Sequence, residues 1–166
     1  MAHEPPVYEF GLWGGGVEKV RVEEATRKWI EGGGYLNMPI YPGAEAFVGG
    51  LCANFDVYVV TARVGTFWGD LSPDIEQKVK QDTSKWLTDH GLTLDRLYFD
   101  PNKVDFCLNN DIGILVEDKL STAIEGSKNG LNTILIDRYW NQSPQQLQIF
   151  RAHNYKQALK YLKNLR

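Results

Sequence analysis

The chain has 166 residues and a mass of 18.9 kDa, the size of one ordinary domain with a single core. Hydrophobic residues at 43% and charged residues at 23% exclude disordered, collagen-like and coiled-coil chains, and Trp, Tyr and Phe at 12% supply ample core volume. Eighteen basic against twenty-one acidic residues give a net charge of −3 and a pI near 5.6, a field that does not attract nucleic acid.

Residues 7–12 (Val-Tyr-Glu-Phe-Gly-Leu) follow Pro5-Pro6 and read as a short strand that runs into the glycines at 14–16. A helix is predicted over 21–30, with Val22, Ala25, Trp29 and Ile30 on one face and the glycines at 32–34 as its stop. After a loop over 35–42, Pro42 introduces a second helix over 43–53. Residues 56–61 (Asp-Val-Tyr-Val-Val-Thr) are the strongest strand signal, a β-branched and aromatic run of the kind buried on both faces of a parallel sheet. Ser72-Pro73 opens a long helix to His90, with Asp74 and Glu76 in its first turn and Gly91 beyond its end. Strands over 96–99, 112–116 and 132–137 then alternate with helices over 102–109 and 120–129, and Asn154 with Gln157 caps a last amphipathic helix.

This alternation predicts an α/β fold, a doubly wound parallel sheet in a single domain spanning 1–166, with residues 14–41 as a small cap-like insertion. Cys52 and Cys107 lie in apolar stretches outside any Cys-x-x-Cys pair and are expected as reduced core residues. No run approaches the roughly 20 apolar residues of a membrane span, and residues 1–6 lack a signal-peptide core, so a cytoplasmic protein without membrane contact is expected. His3, His90 and His153 share no metal-ligand spacing. Tyr139-Trp140 either stack on a ligand or protein partner or cover the end of the sheet.

Ligands of doubly wound sheets bind beyond the carboxyl ends of the strands. Those positions hold Thr61, Ala62 and Arg63 after one strand, Asp100 to Lys103 after the next, and Glu117-Asp118 after the third. A hydroxyl that donates to a phosphate oxygen, an ammonium that neutralises it and two hard carboxylates beside a divalent metal form a set suited to a phosphoryl group. Each also has a bland reading: a threonine ending a strand, a solvated lysine opening a helix, and acidic residues charging a helix start.

In these residues the sequence resembles the haloacid dehalogenase superfamily of phosphatases. The matching stretches are 57–63 (Val-Tyr-Val-Val-Thr-Ala-Arg), Lys103 within Pro-Asn-Lys-Val-Asp-Phe-Cys, and 114–123 (Ile-Leu-Val-Glu-Asp-Lys-Leu-Ser-Thr-Ala). Pro42-Gly43-Ala44 and residues 130–137 are similar as well, so the likeness covers about residues 41–166, and it is greatest to nucleotidase-like members with a reduced cap. The resemblance implies a Mg²⁺-dependent phosphomonoesterase. Thr61, Ala62, Arg63 and Lys103 would hold the phosphoryl group, Lys103 would also stabilise the nucleophile, and Glu117 with Asp118 would hold Mg²⁺.

The family's first motif, Asp-x-Asp at a strand end, supplies the nucleophile and the acid/base. No Asp precedes Asp56, and Gly11 stands at the nucleophile position with Trp13 at that of the acid/base. Two readings follow. In one, residues 7–14 are the degenerate first strand of a pseudo-enzyme that acts as a phosphate- or nucleotide-binding or protein-interaction module. In the other, the true motif lies upstream of Met1 and residues 3–6 begin the cap of a working phosphatase, which leaves the sheet short of a strand at a severe cost in unpaired backbone.

Overall fold

A computed structural model describes residues 19–64, 71–92, 95–142 and 149–165. The strand expected over 7–12, with Gly11 and Trp13, lies outside the described residues. In chain order the elements are α1 (Lys19–Glu31), α2 (Ala44–Cys52), β1 (Val59–Thr61), α3 (Pro73–Asp89), β2 (Leu97–Phe99), α4 (Lys103–Asn109), β3 (Ile114–Glu117), α5 (Leu120–Lys128), β4 (Asn132–Ile136), a 3₁₀ turn (Tyr139–Asn141), β5 (Phe150–Ala152) and α6 (Tyr155–Lys163).

Local signals account for the boundaries. Ser72 precedes α3 with Pro73 at its first position, and Gly91 and Gly130, just beyond α3 and α5, have φ of +68° and +86°, a conformation that favours glycine. The Asn154 side chain accepts the Gln157 N–H at 2.9 Å and fixes the start of α6, while Gln157 Oε1 accepts the His153 N–H at 2.8 Å.

All strand pairs are parallel, as the α/β alternation predicts, but the described strands form two small sheets, β1-β2 and β3-β4-β5, rather than one. The larger sheet is covered on both faces because successive residues of β4 point opposite ways. Ile134 and Ile136 pack with Phe47 of α2 and Ala158 and Leu162 of α6, whereas Leu135 packs with Ala123 of α5 and Ile149. On β3, Leu115 joins Val104 and Cys107 of α4. Beside β1, Ile30 and Tyr35 form a separate cluster with Val79 of α3.

Three expectations are corrected. Val59, Val60 and Thr61 of β1 are half-buried, not enclosed on both faces, because the strand has a partner on one side only among the described residues. Cys52, in the last turn of α2, is exposed; Cys107 is buried as expected, and both are free thiols. β5 falls in a segment without a strand pattern: Arg151 occupies its centre, held by ion pairing to Asp137 at 2.7 Å, and Phe150 stacks on Tyr161 with centroids 3.7 Å apart. No helix among the described residues is long and apolar enough to cross a membrane.

Candidate functional site

The carboxyl ends of β1, β2 and β3 converge. The Thr61 carbonyl, at the end of β1, accepts the Asp100 N–H at 3.0 Å, and the Asp100 carboxylate accepts the Asn102 N–H at 2.7 Å, which shapes the turn into α4. Lys103, the first residue of α4, is thereby aimed across the end of the sheet. Its Nζ donates to Glu117 Oε2 at 2.7 Å, bridging from the β2 side to the end of β3.

Glu117 is only 6% exposed. Its Oε1 accepts the N–H groups of Asp118 and Lys119, both at 3.0 Å, so both carboxylate oxygens have partners. Burial opposes its charge, but the Lys103 ammonium and these hydrogen bonds outweigh that and hold its pKa below the ordinary value. Asp118 behaves oppositely: burial, reinforced by the neighbouring Glu117 charge, pushes it up to about 6. Adjacent carboxylates are thus split, one ionised and paired, the other reluctant to ionise.

Asn141, which the sequence reading missed, fixes the Asp118 segment from behind. Only 2% exposed, it donates to the carbonyls of Asp118 at 2.7 Å and Ile136 at 2.8 Å, and its Oδ1 accepts Arg138 N–H at 3.0 Å and Arg151 Nη1 at 2.9 Å. A lone asparagine in a polar stretch carries no periodic signal, and β5, whose Arg151 it accepts from, has no strand pattern in the sequence. Arg138 lies over the Tyr41 ring at 4.4 Å and donates to Tyr155 Oη at 2.7 Å. Trp140 is tucked in with its indole nitrogen unpartnered among the described residues, while Tyr139 is 68% exposed.

The structure therefore brings Thr61, Lys103, Glu117 and Asp118 to one end of the sheets. It does not add the Arg63 charge to them. The Arg63 guanidinium lies between the Tyr35 ring at 4.8 Å and the Trp86 ring at 5.5 Å, and donates to Thr83 Oγ1 at 3.2 Å. There it has no carboxylate partner among the described residues, and burial lowers its pKa. Only its backbone N–H turns back, to Thr61 Oγ1 at 3.4 Å.

The described residues do not by themselves form a Mg²⁺ shell. Mg²⁺ requires near-octahedral oxygen donors. Both Glu117 oxygens are engaged, Lys103 stands against any added cation, and no group of three His, Cys, Asp or Glu suited to a metal occurs among the described residues. An anion is the better match: a lysine has three N–H donors, Lys103 gives one to Glu117, and its side chain is 24% exposed. The Thr61 hydroxyl accepts the Arg63 N–H at 3.4 Å and keeps its own proton to donate.

No protein-family model and no curated protein matches the sequence. What is established is an α/β protein with parallel strands and a half-buried lysine paired to a buried glutamate at the end of β3.

Proposed function

We propose that this protein is a haloacid dehalogenase-like, doubly wound domain that holds the phosphoryl group of a small phosphorylated molecule, inorganic phosphate or a nucleotide, without cleaving it. The observation that carries the reading is Lys103: it reaches 2.7 Å from a buried glutamate at the meeting point of three strand ends and keeps donors in reserve. Glu117 orients the ammonium, Lys103 neutralises phosphate charge, and Thr61 with the Ala62 backbone completes the cradle. Asp118, pushed up to about 6, adds little repulsion toward a bound anion once the pH falls below that value. A phosphoenzyme mechanism needs a carboxylate free to attack phosphorus, and among the residues here Glu117 is locked to Lys103.

Calorimetric titration with inorganic phosphate and with a nucleoside monophosphate tests this. Binding is expected, with a loss of tenfold or more in Thr61→Val, a change that keeps the β-branched strand shape. Equal binding by Thr61→Val overturns the cradle. Steady release of phosphate from an aryl phosphate by the chain alone with Mg²⁺ overturns the non-catalytic reading and favours the phosphomonoesterase.

A further inference from the structure

A cavity of about 600 Å³, the size of a small-molecule site, opens beyond β4 and β5 between the first turns of α2 and α6. Tyr41, Phe47 and Tyr155 give it aromatic walls, with Phe47 and Tyr155 stacked at a centroid separation of 5.0 Å. Its charged lining comes from Arg138, two residues after β4, from His153, directly after β5, and from Lys156 in α6. Among the described residues no Asp or Glu lines it. In a chain of net charge −3 this basic bias is local and does not follow from composition.

Arg138 sets the charge of the ligand. Its guanidinium lies 4.4 Å from the Tyr41 ring centroid and 5.3 Å from that of Tyr155. It donates only to neutral oxygens, the Asp137 carbonyl at 3.2 Å and Tyr155 Oη at 2.7 Å. Among the described residues its Nε–H is buried without a partner and no carboxylate pairs with it. Asp118 is near enough to feel the Arg138 charge but forms no ion pair with it. Arg151 shows the ordinary arrangement, a guanidinium closed by the Asp137 carboxylate at 2.7 Å. His153 turns Nδ1 to the other oxygen of Asp137 at 3.1 Å, which engages that carboxylate on both sides and leaves the His153 Nε2 for a ligand. Lys156 is exposed and makes no ion pair among the described residues.

We propose that this cavity binds a small planar aromatic anion, its ring against the aromatic walls and its anionic group facing Arg138, His153 and Lys156. This is independent of the phosphate reading, because the cradle is built on the ends of β1 to β3 and this cavity lies beyond β4 and β5. An anion without a ring would leave the tyrosine faces and Leu159 in water, and a neutral ring would leave the Arg138 charge uncompensated.

Calorimetric titration of the full chain, without Mg²⁺, with β-naphthoate and with β-naphthyl phosphate tests the proposal. β-Naphthylmethanol serves as the neutral ring and acetate as the anion without a ring. One of the two aromatic anions is expected to bind at least tenfold more tightly than either control, and the tighter one identifies the anionic group. Arg138→Gln is expected to weaken that binding by about tenfold or more, the worth of a charge-assisted hydrogen bond. Because Arg138 also braces Tyr41 and Tyr155, two variants at exposed positions keep the test independent of folding. Lys156→Glu reverses a charge in the first turn of α6, where an acidic residue suits the helix, and is expected to weaken binding several-fold. Ala46→Phe fills the cavity from α2 and is expected to abolish binding. Thr61→Val, which disables the phosphate cradle, is expected to leave binding of the aromatic anion unchanged. The proposal is overturned if neither aromatic anion binds, if β-naphthylmethanol or acetate binds as tightly, or if Lys156→Glu and Ala46→Phe both bind as the parent chain does. Loss of binding in Thr61→Val also overturns it, because the aromatic anion then sits in the cradle. Failure of inorganic phosphate to bind while the aromatic anion still does overturns the phosphate reading alone.

Discussion

Replacing Lys103 by alanine removes one partner of a buried ion pair and leaves the other in place. Glu117 has 4% of its side-chain surface exposed, and Lys103 24%, so the pair is screened far less than a surface bridge. Breaking such pairs costs about 3–5 kcal/mol. The two backbone N–H groups that remain on Glu117 Oε1 place the expected loss at the lower end, ~3 kcal/mol near pH 7. For a chain of 166 residues that corresponds to a fall in Tm of about 6–12 °C.

The pH dependence carries the sharper sign. In the native chain the depressed Glu117 pKa contributes stability above the unfolded value, and that contribution is lost as pH falls through the folded pKa. Without Lys103, burial dominates and raises the folded pKa above the unfolded one, so the penalty is full at neutral pH and is relieved on protonation. The gap between the two proteins therefore narrows from pH 7 toward pH 4. Urea unfolding followed by tryptophan fluorescence across that range measures it. A loss under about 0.5 kcal/mol at pH 7, or a gap that widens on acidification, refutes the assignment of this pair as the electrostatic anchor of the site.

Asp118→Asn acts in the opposite sense. The folded pKa of about 6 lies above the unfolded ~3.9, so ionisation of Asp118 weakens the fold at high pH, and the variant should gain ~1–2 kcal/mol at pH 8 and nothing near pH 4, read by thermal unfolding at both. Asn141→Ala should cost ~2–4 kcal/mol, because it strips partners from two buried carbonyls and an arginine, and amide exchange at Asp118 and Lys119 should rise with it. Gly126→Ala places a methyl group 2.9 Å from Leu115 Cδ2 and 3.0 Å from Thr133 Oγ1. Overpacking of ~1–3 kcal/mol then outweighs the helix-propensity gain of about 1 kcal/mol, and the midpoint of urea unfolding should fall.

Elements with self-contained signals were legible in the sequence. Helix α3 announces itself by Ser72-Pro73 and Gly91, α6 by Asn154 and Gln157, and β4 by an apolar run that needs no knowledge of its neighbours. Convergence of Thr61, Lys103 and Glu117 followed from parallel topology, which places every strand end on one side. What the sequence leaves open depends on which neighbour a residue meets. The run ending at Thr61 reads as enclosed, yet enclosure depends on a strand on its other flank, which no property of residues 56–61 supplies. Arg63 reads as a phosphate ligand by position, but Tyr35 and Trp86 offer its guanidinium two aromatic faces away from the strand ends. Glu117 reads as a metal ligand until Lys103, fourteen residues earlier, is seen to take that role for itself.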